Sequence, residues 1–464
     1  MRRIGILTAG GDTPALNATL FGAVTQASQN DIEVVGLLNG FDSLYHPRAP
    51  HVVLNPLFCA IPELDPNYGG SILGSSRRYV DSSDRQGMKQ IQENLTKLKL
   101  DGLVCIGGDG TLNALQPLCD ILPTSLAPKT IDNDLGMNYP NEPDKYVRES
   151  TGPGEDDYSY RIIDTFVEER ATEFQLDRMI NYATPGYATA VFVSVGGIRR
   201  IRTTAESHRR IAIIEVMGRH SGFIALGSAY GQPDIILVPE SPLDIELVAE
   251  RVKQIYRLQK HVVIVCGEGI VDKEGEVLGD RQTTLDPSGN VRLSGAAEAL
   301  RTMLLDHLDD SFFHGHGYFD SASSAIFTRK VGHTQRGGRP IQFDRFYAAQ
   351  LGGKALEILL DGGNNEVSTL KWSADSGFDV SSYPGNGFRD QWGLIHARRL
   401  HPSFYDTAKM NISPIACQYL LPIFTKAIGA DDVEFIRETR FDSGNLYRRF
   451  HSVNTDIEKR TRYV

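Results

Sequence analysis

Two short runs in this chain of 464 residues carry side chains whose types and spacing suit phosphoryl chemistry. Ile106 to Leu115 reads IGGDGTLNAL. Tandem glycines let backbone amides approach a phosphate closely, a helix beginning just after them adds positive potential, and Asp109 is placed to reach a phosphate-bound Mg2+. Ala127 to Leu135 reads APKTIDNDL and sets Asp132, Asn133 and Asp134 beside Lys129. An acceptor hydroxyl needs a carboxylate to take its proton, a second carboxylate for metal or orientation, and a cation for the moving charge. Each run also has a plainer reading, the first as a structural β-α connection and the second as a polar turn capping a helix.

Such residues must be held at the ends of regular elements. Apolar runs of four to seven residues alternate with longer amphipathic stretches, the pattern of parallel strands joined by crossover helices. The clearest predicted strands are Ile4 to Thr8, Val34 to Leu38, Gly102 to Ile106, Ile211 to Val216, Ile235 to Val238 and Val262 to Cys266. Several run into glycine, at Gly10-Gly11, Gly107-Gly108, Gly218 and Gly267. Ligands of doubly wound sheets bind beyond the carboxyl ends of strands, so chemistry is expected at these turns. Asn141 to Ala183 breaks the rhythm: it is charge-rich, contains TGPGEDD, and sets Ile163, Phe166, Val167, Arg170 and Phe174 at helical spacing. It reads as an insertion, either a solvated excursion or a lid over the neighbouring site.

Composition narrows the class. The length predicts two packed domains, and 41% hydrophobic with 23% charged residues is the make-up of a soluble α/β enzyme. A formal net charge of -10 argues against nonspecific nucleic-acid binding. Cys59, Cys105, Cys119, Cys266 and Cys417 show no metal-ligand spacing and read as reduced thiols. The N-terminal MRRIGILTAGGD lacks an apolar signal core, and no apolar run is long enough to span a bilayer, so no membrane association and a cytoplasmic location are expected.

The two runs have company. With GILTAGGDTPALNA near the start, then SILGSSRR, TTAESHRR, EVMGRHSG, CGEG and GHTQRGGRPIQFDR in this order, the chain resembles the phosphofructokinase family over roughly residues 1 to 140 and 184 to 350. A GGDGTLN turn alone also fits lipid kinases of the diacylglycerol type, but the later motifs have no place there. The resemblance implies a phosphofructokinase-like α/β fold of two Rossmann-like domains with mostly parallel central sheets. A donor domain over 1–185 would carry the insertion at about 141–183. A sugar-phosphate domain over 186–343 and a return segment with C-terminal extension over 344–464 would follow.

The implied activity is phosphoryl transfer from ATP to the 1-hydroxyl of fructose 6-phosphate, with Mg2+. Asp132 would be the base, aided by Thr130, Lys129, Arg77 and Arg219. Gly11, Arg77, Arg78, Gly108, Asp109, Gly110 and Thr111 would hold the nucleotide phosphates, Asp109 next to the metal. Sugar-phosphate contacts would come from Thr130, Ile131, Asp132, Met217, Gly218, Arg219, Glu268 and Arg345. Arg210 and Arg336 would join them from a neighbouring subunit, so a homo-oligomer, dimer or tetramer, is implied. Several guanidinium forks suit a 6-phosphate dianion, and Glu268 suits sugar hydroxyls.

The pattern departs in places. Pyrophosphate-using relatives usually carry aspartate where this chain has Gly110, and lysine where it has Lys129; ATP users usually carry glycine at the first. Glycine leaves room for a nucleotide α-phosphate that a carboxylate would repel. ATP users of plants and trypanosomes combine the same glycine and lysine, so ATP is the expected donor and pyrophosphate the alternative. Phe21 and Thr25 replace arginines that hold effectors in bacterial ATP enzymes, so that effector site is not expected. Ala15 replaces the glycine usual in GGDxPG. The insertion beside Asp132 keeps another phosphorylated ketose open as acceptor.

Overall fold

The computed structural model describes residues 1–78, 80–151, 158–162, 174–285, 291–425, 429 and 453–464. The strands in chain order are β1 (Arg3–Thr8), β2 (Glu33–Leu37), β3 (His51–Val53), β4 (Gly102–Gly107), β5 (Thr124–Pro128), β6 (Tyr146–Ser150) and β7 (Tyr158–Ile162). They continue with β8 (Ile211–Val216), β9 (Ile235–Leu237), β10 (Val262–Gly267), β11 (Asp280–Leu285), β12 (Val291–Ser294), β13 (Ile326–Lys330), β14 (Glu366–Ser373) and β15 (Gly377–Pro384). The six strands read from apolar runs correspond to β1, β2, β4, β8, β9 and β10, each displaced by a residue at most.

A first sheet of seven strands has the order β15-β14-β5-β4-β1-β2-β3. Its central strands run parallel, and only the edge strands β3 and β15 are antiparallel to their neighbours. A second sheet, β13-β8-β10-β9, is parallel throughout. The inner strands β4, β5, β8 and β10 are buried along their length, because helices cover both faces. In the first sheet β1 has β2 on one side and β4 on the other. The chain order reverses between β1 and β4, which opens a crevice at their carboxyl ends.

The helix Gln342–Leu360 carries the chain back to the first sheet. Its partner is the helix Leu16–Gln29, and glycine on both surfaces sets the separation. A Cβ at Gly22 would stand 1.9 Å from the carbonyl oxygen of Ala349, and one at Gly352 would stand 2.0 Å from that of Thr19. Strands β14 and β15 follow and extend the sheet beside β5. A further stretch, to Phe424, packs in the seam between the sheets, where Phe404, Tyr419, Leu420 and Ile423 join Tyr182, Tyr187 and Phe223 in one cluster.

Within 141–183 the described part forms the β6-β7 hairpin, and Phe174 stacks on His401 at 4.1 Å. The helical spacing read at Ile163, Phe166, Val167 and Arg170 falls outside the described residues, as does Gly152 to Asp157 of TGPGEDD. No helix among the described residues is long and apolar enough to cross a membrane.

Candidate active site

The β1-β4 crevice opens into a cavity of about 260 Å³ that continues towards the second sheet. The turn after β4 forms its floor. Gly107 must be glycine, because a Cβ would lie 2.0 Å from Thr111 Oγ1. Gly108 then caps the helix Asp109–Cys119, and Thr111 closes its first turn by donating to the Gly108 carbonyl at 3.0 Å. The Gly110 N–H donates to Asp109 Oδ1 at 2.8 Å, and Gly108 to Thr111 line the cavity at the positive end of the helix dipole, a place that suits phosphate. At Gly110 a Cβ would meet no heavy atom within 4 Å.

The turn after β1 forms one wall. Gly10 takes φ +81°, and its N–H donates to the Ser76 carbonyl at 2.9 Å, which draws the segment bearing Arg77 and Arg78 against the crevice. A Cβ at Gly11 would stand 3.0 Å from Arg336 Nη1 and 3.7 Å from Arg77 Nη2, so two guanidinium groups converge where that side chain is absent. Arg78 lies 3.8 Å over the Tyr45 ring and pairs with Asp42 at 3.3 Å, at the outer rim beside Phe41.

The turn after β5 supplies another wall, with Lys129, Thr130, Asp132 and Asp134. Lys129 is buried, and its Nζ donates to the Gly11 carbonyl. Asp132 is buried too, its N–H donating to Thr130 Oγ1 at 3.1 Å, while its Oδ1 has no hydrogen-bond partner in the protein. A buried carboxylate oxygen left without a partner, on a residue that lines the cavity, is an acceptor with capacity for a donor. Facing it, the turn after β8 puts Gly218 at φ +140° and Arg219 at φ +50°, with the Arg219 N–H donating to Glu268 Oε1 at 3.2 Å.

Electrostatics follow from this crowding. Burial pushes the Asp132 carboxyl up to about 6, and the Asp134 carboxylate adds to the effect against the pull of Arg336 and Arg219. Burial also raises Asp109, again reinforced by Asp134. Lys129 is pushed down to about 7 by burial and by the Arg336 guanidinium, with Asp12 opposing. Glu268 rises to about 7 through burial and the nearby Asp132 charge. A carboxyl raised to about 6 and an amine lowered to about 7 thus share one cleft, each able to change charge near neutral pH.

All five residues expected to carry the reaction, Asp132, Thr130, Lys129, Arg77 and Arg219, line the cavity, as do Gly11, Arg78, Gly108, Asp109, Gly110 and Thr111. The sugar-phosphate set is divided. Glu268 lies close enough to Asp132 for the Asp132 charge to raise it, and Gly218 and Met217 shape the opposing turn, where the Met217 N–H donates to Gln335 Oε1 at 2.9 Å. Ile131 is wholly buried in the core beneath. Arg345 stands in the first turn of the helix Gln342–Leu360, away from the cavity lining.

Arg336, expected to join the site from a neighbouring subunit, is buried in the lining of its own chain's cavity, where Nη1 donates to the Asp12 carbonyl at 3.4 Å. The cause is Gln335, pinned between the Met217 N–H and Ser194 Oγ, which aims the next residue back at Gly11. Arg210 behaves differently. It stands at the start of β8, six residues and about 20 Å from the cavity end of that strand, so it does not reach its own chain's site.

Asp134, Asn113, Thr13 and Phe41 also line the cavity but were not singled out as ligands. The signal for Asp134 and Asn113 lay inside the two motifs themselves. Among the described residues no group of three or more His, Cys, Asp or Glu side chains could hold a metal. A Mg2+ here would therefore arrive on donor phosphates and take a carboxylate such as Asp109, a coordination Mg2+ commonly adopts.

The phosphofructokinase family profile matches residues 3–139 and 177–359. A pyrophosphate–fructose 6-phosphate 1-phosphotransferase of Streptomyces coelicolor is 31% identical over 374 residues, covering 80% of this chain and 90% of its own. An ATP-dependent 6-phosphofructokinase of Corynebacterium efficiens is 32% identical over 373 residues, with the same coverage, 80% and 90%. The crystal structure of a pyrophosphate-dependent phosphofructokinase from Nitrosospira multiformis superposes with a TM-score of 0.68 at 18% identity, covering 92% of each chain.

Proposed function

The chain belongs to the phosphofructokinase family, and on that footing we propose that it transfers a phosphoryl group from Mg2+-ATP to the 1-hydroxyl of fructose 6-phosphate. Asp132 takes the hydroxyl proton, its buried and unpartnered Oδ1 being the acceptor. Arg77, Arg219 and Lys129 meet the charge that develops on the phosphoryl group in flight, a contribution that needs no covalent intermediate. Asp109, in the cavity lining, would hold a Mg2+ bound with the donor, which would supply positive charge against the phosphates.

The observation that carries ATP over pyrophosphate is the open space at Gly110, beside the helix start where donor phosphates would lie. Pyrophosphate remains the second reading, favoured by the Lys129 amine in the donor wall. The test is formation of fructose 1,6-bisphosphate from fructose 6-phosphate and Mg2+, measured in parallel with each donor. Turnover with ATP alone supports the first reading and turnover with pyrophosphate alone the second. Inactivity with both turns attention to another ketose phosphate.

Arg210, out of reach of its own cavity, suits a site shared with a second copy. Loss of fructose 6-phosphate affinity in Arg210→Ala, in an enzyme that elutes as a dimer or tetramer, would support that arrangement. An unchanged KM would oppose it.

A further inference from the structure

Arg398 comes from the segment beyond β15 and is only 2% exposed. Its Nε and Nη2 donate to the Asn133 carbonyl at 3.1 and 2.7 Å, and Nη1 donates to the Asn181 carbonyl. Its backbone N–H donates to the Asp134 carbonyl at 2.6 Å. One residue therefore holds the carbonyls of both residues that follow Asp132.

Asn133 is left-handed, φ +57°, a conformation that asparagine adopts more readily than other non-glycine residues, and its side chain is bonded on both sides. Its side-chain amide donates to Tyr419 Oη at 2.7 Å and accepts from the Thr184 N–H at 2.9 Å. Tyr419 belongs to the same C-terminal stretch as Arg398.

The other wall of the cleft is tied to this segment too. The Arg398 guanidinium lies 4.7 Å over the Phe223 ring. Two residues on, the Leu400 N–H donates to Glu240 Oε1 at 2.8 Å, and the same oxygen accepts from the Gly222 N–H at 2.9 Å. Gly222 and Phe223 end the turn that bears Arg219.

We propose that Arg398 is a positioning residue for phosphoryl transfer, joining the Asn133-Asp134 carbonyls and the Phe223 turn into one unit so that Asp132 and Arg219 face a common point. This rests on the reading of Asp132 as the base. A planar fork serves two carbonyls while lying flat on a ring; the Lys ammonium is a point donor and cannot do all three.

The test is Arg398→Lys in the full chain, with steady-state kinetics and thermal unfolding. Misplacing reacting groups by about 1 Å costs on the order of 100-fold, so kcat is expected to fall by about 30- to 100-fold while KM for sugar and donor changes less than about threefold. A kcat within about threefold of the parent, or a loss confined to KM, overturns the proposal.

Should the variant not fold, Tyr419→Phe decides, since it removes one hydroxyl from the same brace: a kcat lowered by about fivefold or more at constant KM supports the proposal, and an unchanged kcat overturns it. Asp132→Asn run alongside separates the two readings. An active Asp132→Asn overturns the base assignment, whereas an inactive one beside a fully active Arg398→Lys overturns the positioning role alone.

Discussion

Gly110→Asp tests the donor assignment most directly. A Cβ there meets no heavy atom within 4 Å, so the new side chain enters the cavity without displacing a neighbour. Position 110 is the second residue of the helix Asp109–Cys119, where a carboxylate is favoured by the dipole, so stability should change by no more than about 1 kcal/mol. In the cavity the carboxylate meets the phosphates that the helix start would hold. Two unit charges about 4 Å apart repel by about 4 kcal/mol at an effective dielectric of about 20. Solvent and ions in the open cleft leave roughly a third to a half of this, or about 1.4 to 2 kcal/mol, which is a 10- to 30-fold weaker hold on ATP.

Pyrophosphate has no third phosphate to place beside residue 110 and should lose little. The assay is initial rate against each donor at saturating fructose 6-phosphate and Mg2+, with thermal unfolding recorded in parallel. An equal rise in KM for both donors, or none for ATP, would refute the reading of this turn.

Asp132→Asn keeps the shape of the site but removes the proton acceptor, so kcat should fall by about 10²- to 10⁴-fold, and near-normal turnover would sink the mechanism. Asp132 must be ionised to act and Lys129 protonated to help. With the first near 6 and the second near 7, kcat/KM should rise with pH through about 6 and decline above about 7. Lys129→Met should remove the alkaline decline, and a flat wild-type profile between about pH 5 and 8.5 would contradict the assignment. Gly22→Ala forces a Cβ to within 1.9 Å of the Ala349 carbonyl and should separate the two helices that dock the returning chain. A loss of about 1 to 3 kcal/mol is expected by chemical denaturation, and an unchanged midpoint would show that the helices separate freely.

What the sequence by itself determined is what is local. Strands buried on both faces show as unbroken apolar runs, and a turn that must approach phosphate shows as glycine at the end of such a run. Lys129, Thr130 and Asp132 lie within four residues of β5 and travel as a unit, as Gly108 to Thr111 do at the start of their helix. Any fold that ends these strands side by side brings the groups together, which is why residues of both motifs line one cavity.

Only the tertiary structure decided how distant segments converge. That Arg336 belongs to its own chain's cavity depends on Gln335 reaching Met217 across 118 residues. That Arg398 braces the carbonyl after Asp132 depends on a contact spanning 265 residues, made from a stretch with no periodic pattern. A hydrogen bond to a backbone carbonyl places no demand on the residue type that offers it, so Asn133 carries no mark of its partner. The physical reason is the same in each case: spacing along the chain records the period of a helix or strand, whereas the convergence of distant segments is fixed by packing between surfaces that the sequence keeps far apart.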